Sequence, residues 1–255
     1  MIKLLWRKIL IKRKNKFVTL SAVEGQIRNK KMYILNIETA TKNCSVSLAK
    51  NGETILCKEI AEQGYSHAEK LHVFIEEILK ETTITVRDLK AVAVSKGPGS
   101  YTGLRIGVST AKGLCYALGV PLISVDTLQV LAKQALSVID YDGGYIVPMI
   151  DARRMEVYSA VYDGNNDRIA DVRAEILTET SYVECPEPLY FVGDCQEKCQ
   201  TVMKGFNFHF LPKIIFPSAN EMSSLSYAKF LKNEFEDVAY FEPFYLKDFL
   251  IAKSK

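Results

Sequence analysis

Histidine is scarce in this chain of 255 residues: there are only three, His67, His72 and His209. His67 and His72 stand five apart, not three or four, so on a helix they point to different faces and do not make a metal pair. The six cysteines, Cys44, Cys57, Cys115, Cys185, Cys195 and Cys199, form no group with histidine at zinc spacing. Cys195 and Cys199 lie i, i+4 and, with no histidine nearby, read as two thiols. Several cysteines sit in apolar runs, which favours reduced, buried thiols and a cytoplasmic setting. No apolar run approaches the roughly 18 residues of a membrane span. Neither G-x-x-x-x-G-K-[ST] nor G-x-G-x-x-G occurs, so the two common nucleotide fingerprints are missing. No nucleophile–base pair suggests a peptidase. No low-complexity linker interrupts the chain.

Charge is present but unevenly placed. Residues 1–31 hold ten Lys/Arg and one Glu, a net +9, whereas the remainder has 23 basic and 29 acidic residues, a net −6. The overall +3 therefore hides an acidic body behind a basic leader. The leader could touch RNA or an anionic membrane, or serve as a mitochondrial-type presequence. The stronger reading is an unstructured extension or a mis-assigned start, because Met32 is followed at once by an apolar strand. An acidic body argues against a large nucleic-acid face.

The body opens as a β-meander. Tyr33–Glu38 and Cys44–Ala49 read as strands, and Asn51-Gly52 is a tight-hairpin dipeptide before a third strand, Glu53–Ile60. Ser66–Lys80 has helical spacing, with Ser66 and Glu69 as a capping box. Leu89–Ser95 is a buried strand, Leu122–Val125 a short one, and Leu128–Leu136 a helix capped by Asp126 or Thr127. Asp142-Gly143-Gly144 marks a boundary, which divides the body into residues 32–141 and 142–255. Tyr145–Ile150, Asp151–Arg154 and Glu156–Tyr162 then repeat the strand, turn, strand pattern of the opening. An acidic residue ends the first strand in both, Glu38 and Asp151. The likeness suggests two related lobes; chance similarity of two hairpins is the alternative. Leu189–Val192 reads as a strand, Gln196–Lys204 as a helix, and Ser218 with Glu221 as a capping box for a last helix to about Glu234.

One stretch stands apart: Ser95–Gly119, SKGPGSYTGLRIGVSTAKGLCYALG. A glycine-proline loop enters a helix from Tyr101 to Leu118. Gly103, Gly107 and Gly113 each weaken that helix by roughly 1 kcal/mol relative to alanine. Small residues recur every four positions, at Gly99, Gly103, Gly107, Ala111, Cys115 and Gly119, and so share one face. The stripe admits a close backbone, or leaves room for a group at the helix N-terminus. Gly97-Pro98-Gly99-Ser100 offers free N–H groups to an anion, but Lys96 precedes the loop rather than ending it, and a packing turn is the stronger reading. Glu38 and Asp151 stand at strand ends, where a phosphate- or magnesium-handling enzyme would place carboxylates; hairpin capping explains them as well. Arg153 and Arg154 could meet phosphate or a partner's carboxylates, or pair locally with Asp151 or Glu156.

These motifs resemble a known family. SKGPGSYTGLRIGVSTAKGL followed by PLISVDTL is similar to the central motif of TsaB (YeaZ) proteins, subunits of the tRNA threonylcarbamoyladenosine machinery. ILNIETATKNCSVSL, HAEKLHVFIEEIL, IDARRMEVYSAVY and FYLKDF resemble its other segments, so the likeness spans about Met32 to Phe249. It implies an actin-like (ribonuclease H-like) two-lobed α/β fold with mixed sheets flanked by helices. It also implies a non-catalytic activating subunit, with no cofactor or metal of its own, whose partners are a TsaD-like transferase and a TsaE-like ATPase. A homodimer would form when the chain is alone, and tRNA would be met only through the complex. TsaD-like proteins carry an H-x-x-x-H pair; the H-x-x-x-x-H spacing here favours the partner role over the alternatives, an actin-fold ATPase or the transferase itself. The resemblance places the partner contact on the first two helices. The apolar ridge Leu71, Phe74 and Ile78 and the small stripe Gly103, Gly107 and Ala111 are the expected contact residues. Glu38, Gly97, Gly99, Ser100 and Asp151 are expected to outline a vestigial nucleotide cleft.

Overall fold

The computed structural model describes residues 31–61 and 67–246. The basic leader, Ser66 of the expected capping box and the end of FYLKDF lie outside the described residues. The first three strands, β1 (Tyr33–Glu38), β2 (Cys44–Lys50) and β3 (Glu53–Ile60), form the meander expected. Asn51 and Gly52 both take positive φ, 54° and 87°, the conformation that a two-residue hairpin needs. Helix α1 (His67–Thr82) leads to β4 (Leu89–Ser95). Then come helix α2 (Tyr101–Leu118), β5 (Leu122–Val125) and helix α3 (Thr127–Leu136). Ser100 caps α2 by accepting from the Gly103 N–H, and Gly119 ends it in the left-handed region. Asp126, not Thr127, caps α3.

The second half holds β6 (Tyr145–Asp151), β7 (Glu156–Tyr162), β8 (Arg168–Ile176) and β9 (Leu189–Val192). Helix α4 (Gln196–Val202), β10 (Phe208–Phe210) and helix α5 (Ala219–Leu231) follow. Strands β8 and β10 were not legible in the sequence. They complete a second sheet of order β10-β9-β6-β7-β8, matching the first, β5-β4-β1-β2-β3. In each sheet the central strand is antiparallel to the second strand and parallel to the fourth. The likeness of the two hairpins thus extends to two five-stranded mixed sheets, and the fold is the two-lobed, actin-like α/β class.

Alternation along the strands explains the layers. In β1, Leu35 and Ile37 face α1 and α2, with Val46, Leu48, Val92 and Val94 beside them. Ile34 faces the other way, with Ala91, Ala93, Ile123 and Val125, and meets Ala219 and Met222 of α5. In the second sheet, Ile146, Ile150 and Ala160 pack on Leu128, Leu131 and Ala135 of α3. Val147, Met149 and Phe191 pack on the Cys199 side. The covering helices are exchanged: α3, from the first half, covers the second sheet, and α5, from the second half, covers the first. The two also touch each other. The division near residue 141 therefore follows chain order, while the packing runs across it.

Candidate partner surface and closed cleft

The glycine stripe does admit a close backbone, and that backbone is the chain's own. The turn after β1 lies across the start of α2. A Cβ on Gly99 would stand 2.2 Å from the Ala40 carbonyl oxygen, one on Gly103 2.1 Å from the Thr39 carbonyl oxygen, and one on Gly107 2.2 Å from Thr39 Oγ1. Thr39 Oγ1 donates to the Gly103 carbonyl at 2.8 Å, and the Ser100 N–H donates to the Ala40 carbonyl at 2.6 Å. The helix is thin so that a turn, not a partner helix, can lie on it. Ala111 is 0% exposed and fills the core under the same face. Leu71 and Ile78 are also fully buried against the first sheet, and Phe74 is half-buried at its margin. Leu71, Ile78, Gly103, Gly107 and Ala111 thus belong to the lobe's interior, and of the expected contact set Phe74 keeps some exposed surface. The apolar ridge of α1 and the small stripe of α2 are the faces that cover the sheet.

The same turn lies against the residues expected to outline a nucleotide cleft. The Ala40 carbonyl, an acceptor, sits at the α2 N-terminus, where an anion needs donors. Gly97 is buried and fastened to α3: its N–H donates to Thr127 Oγ1 at 3.1 Å, and its carbonyl accepts from the Thr127 N–H at 3.2 Å. Glu38 is 0% exposed. Its Oε1 accepts from the Ala40 N–H at 2.6 Å and from Ser95 Oγ at 2.9 Å, while Oε2 has no hydrogen-bond partner among the described residues. Asp151, in contrast, is exposed and tied to its own hairpin turn. The five expected cleft residues are therefore not presented together: Ser100 and Asp151 are open to solvent, Gly97 and Glu38 are shut away, and Gly99 is pressed on Ala40.

Burial pushes the Glu38 carboxyl up to about 7, against the opposing pull of the Ala40 N–H and the Ser95 hydroxyl. Below about pH 4.5 the folded and unfolded chains both carry this proton. Between about 4.5 and 7 only the folded chain keeps it, so this group's contribution to stability falls as pH rises, by roughly 3 kcal/mol in total. Glu38→Gln should remove that dependence. Denaturant titrations at about pH 5 and pH 8 should show the variant gaining on the wild type at the higher pH. An unchanged difference between the two values would contradict the buried protonated state.

The surface that α1 and α2 do offer was missed as a set. Gly113 is two residues beyond Ala111, about 200° round the helix from the buried stripe. A Cβ there would meet nothing within 4 Å among the described residues. It borders two hollows. One, of about 420 Å³, lies between the helices and is lined by His72, Ile75, Ser109, Thr110, Gly113 and Leu114. The other, of about 500 Å³, is lined by Lys112, Gly113, Tyr116, Asp237, Val238 and Ala239. Lys112 Nζ holds the C-terminal segment there, donating to the Ala239 and Phe241 carbonyls, each at 3.0 Å. Tyr116 is 86% exposed beside them. The signal in the sequence was a glycine out of step with the four-residue series. His67, whose ring Nε2 lies 2.8 Å from the Thr41 carbonyl, fixes the β1–β2 turn, while His72 lines the hollow. Among the described residues no helix is long and apolar enough to cross a membrane, and no three His, Cys, Asp or Glu side chains are grouped to hold a metal ion.

The chain is similar to known proteins along most of its length. The family profile described as "TsaD: tRNA N6-adenosine threonylcarbamoyltransferase" matches residues 54–248. The tRNA threonylcarbamoyladenosine biosynthesis protein TsaB of Buchnera aphidicola (subspecies Schizaphis graminum) is 34% identical over 195 residues, 74% of this chain and 90% of that protein. TsaB of Escherichia coli is 29% identical over 230 residues, 85% of this chain and 95% of that protein. The match to Bacillus subtilis TsaB, 33% identical, spans 55% of this chain and 59% of that protein. The solved structure of YeaZ from Pseudomonas aeruginosa superposes with a TM-score of 0.72 at 25% identity, covering 84% of this chain and all of that one. The chain belongs to the TsaB (YeaZ) family, named for tRNA threonylcarbamoyladenosine biosynthesis, and lies within the wider group that the TsaD profile matches.

Proposed function

We propose that this chain is a non-catalytic, activating subunit of the complex that forms N6-threonylcarbamoyladenosine next to the anticodon of tRNAs reading codons that begin with A. Its partner is a TsaD-like transferase, joined by a TsaE-like ATPase. The isolated chain pairs with a second copy of itself, and the work takes place in the cytoplasm. In this reading residues 32–141 form the partner-binding lobe and 142–255 the second lobe. One observation carries the subunit role. The helix face around Gly113 is open, bordered by two hollows and an exposed tyrosine. A glycine inside an exposed helix face costs roughly 1 kcal/mol, and nothing among the described residues approaches it closely enough to require it. Close approach of another molecule does.

The packing of the turn after β1 supports this reading: Glu38 is fully buried, and the Ala40 carbonyl takes the Ser100 N–H at the α2 N-terminus. The test is co-purification with the TsaD-like protein of the same cell, followed by a tRNA modification assay with and without this chain. A stable complex and activity that needs both proteins are expected. Full activity of the isolated chain would sink the proposal. The transferase profile keeps one rival open, that this chain is itself the transferase. Calorimetry with ATP and with metal ions decides against the rival if neither binds.

A further inference from the structure

The β6–β7 turn is built at some expense to present two arginines. Arg153 and Arg154 both have positive φ, 73° and 52°, a conformation that non-glycine residues take rarely and only when held. They are held by charge. Asp151 Oδ1 accepts from the Arg153 N–H at 2.8 Å and from Lys198 Nζ at 2.5 Å. Lys198 Nζ also donates to the Arg154 carbonyl at 3.0 Å and the Glu156 carbonyl at 2.8 Å. An ammonium has three N–H donors, so Lys198 has three acceptors for three donors inside the turn. The Asp151 N–H in turn donates to Asp194 Oδ1 at 2.8 Å. Neither guanidinium has an ion pair or hydrogen bond among the described residues, and both side chains are exposed. Of the two local ion pairs open to them in the sequence, with Asp151 or Glu156, the one with Asp151 is not formed, because Lys198 takes Asp151 instead.

We propose that Arg153 and Arg154 form a docking tip for the sugar-phosphate backbone of tRNA when this chain sits in its complex; the inference rests on the function proposed above. Three features select this occupant. Guanidinium groups match phosphate oxygens in a two-pronged geometry. The negative charge of Asp151 is paired with Lys198, so it does not neutralise the two guanidinium groups. Without these two arginines the body has 21 basic and 29 acidic residues, net −8, so a polyanion is met at local cations rather than across a broad face. The tip is also on the second sheet, whereas the surface proposed for the protein partner is on the helices of the first.

The test uses the assembled complex and an unmodified tRNA transcript, with affinity measured over a range of salt. The paired substitution Arg153→Ala with Arg154→Ala should weaken binding about tenfold and reduce the slope of log affinity against log salt by about 2, one for each phosphate contact. The KM for tRNA should rise while kcat at saturating tRNA stays the same. The paired substitution of both residues to glycine, which accepts positive φ freely, should lose the same affinity without any loss of melting temperature. Unchanged affinity and salt slope would overturn the tip. So would loss of complex assembly in place of loss of tRNA binding, since the occupant would then be an acidic protein surface. A wild-type chain that forms no complex overturns the functional reading and this inference together. It is told apart from failure of the tip alone, in which the complex assembles and binds tRNA with the arginines removed.

Discussion

Gly103→Ala should destabilise the first lobe strongly, although alanine is the better helix former. The new methyl would stand 2.1 Å from the Thr39 carbonyl oxygen, and that oxygen is backbone, which cannot rotate away. For the methyl to fit, the turn after β1 must lift from α2. Lifting it breaks the bond from Thr39 Oγ1 to the Gly103 carbonyl and the bond from the Ser100 N–H to the Ala40 carbonyl. It also opens the cover over Glu38. Overpacking costs about 1–3 kcal/mol, and each lost bond about 1 kcal/mol more. The gain of about 1 kcal/mol in helix propensity leaves a net loss of roughly 2–4 kcal/mol, against a total stability of about 5–15 kcal/mol. Urea titration followed by circular dichroism measures it. A variant as stable as the wild type would mean that the turn is not seated on this helix as described.

Gly113 on the same helix should behave in the opposite way. Gly113→Ala meets open space and should raise stability by about 1 kcal/mol. Gly113→Leu should melt at or above the wild-type temperature, yet no longer bind the TsaD-like partner, because its side chain projects into the two hollows that this glycine borders. Size-exclusion chromatography of the mixed proteins, beside a melting curve of the variant alone, separates lost binding from lost folding. Leucine suits the test better than arginine, since it adds bulk without adding charge. If Gly113→Leu associates and supports modification normally, the partner surface is elsewhere.

Most of the elements were legible because they carry local signals. Helix α2, with Ser100 before it and Gly119 after it, has both ends marked by residues whose side chain or lack of one suits the cap. The β1–β2–β3 meander announces itself by alternation and Asn51-Gly52. Strand β8 did not, since Arg168–Ile176 lies at the edge of its sheet, is only partly covered and mixes charge with apolar residues on both faces. Strand β10 is three residues long and exists through its pairing with β9, which no local pattern encodes. The site was read less well for a related reason. Spacing shows that Gly99, Gly103, Gly107 and Ala111 share a face; it does not show what lies on that face. The residues that line the hollows come from α1, α2 and the Asp237–Ala239 segment, which are brought together from distant parts of the chain.

The sequence by itself determined the class of fold, the duplicated hairpins, the limits of the main helices and the family. Each of these rests on periodicity, capping chemistry or a long specific motif, all of which act between near neighbours in the chain. Only the tertiary structure decided which side of α2 is inside. A helix with glycine on opposite faces can pack either way. The choice is made by the turn after β1, whose Thr39 and Ala40 carbonyls need the room that Gly99 and Gly103 leave. Once that turn is seated, Glu38 is sealed, the small stripe is interior, and Gly113 and Tyr116 are on the exposed side of the helix.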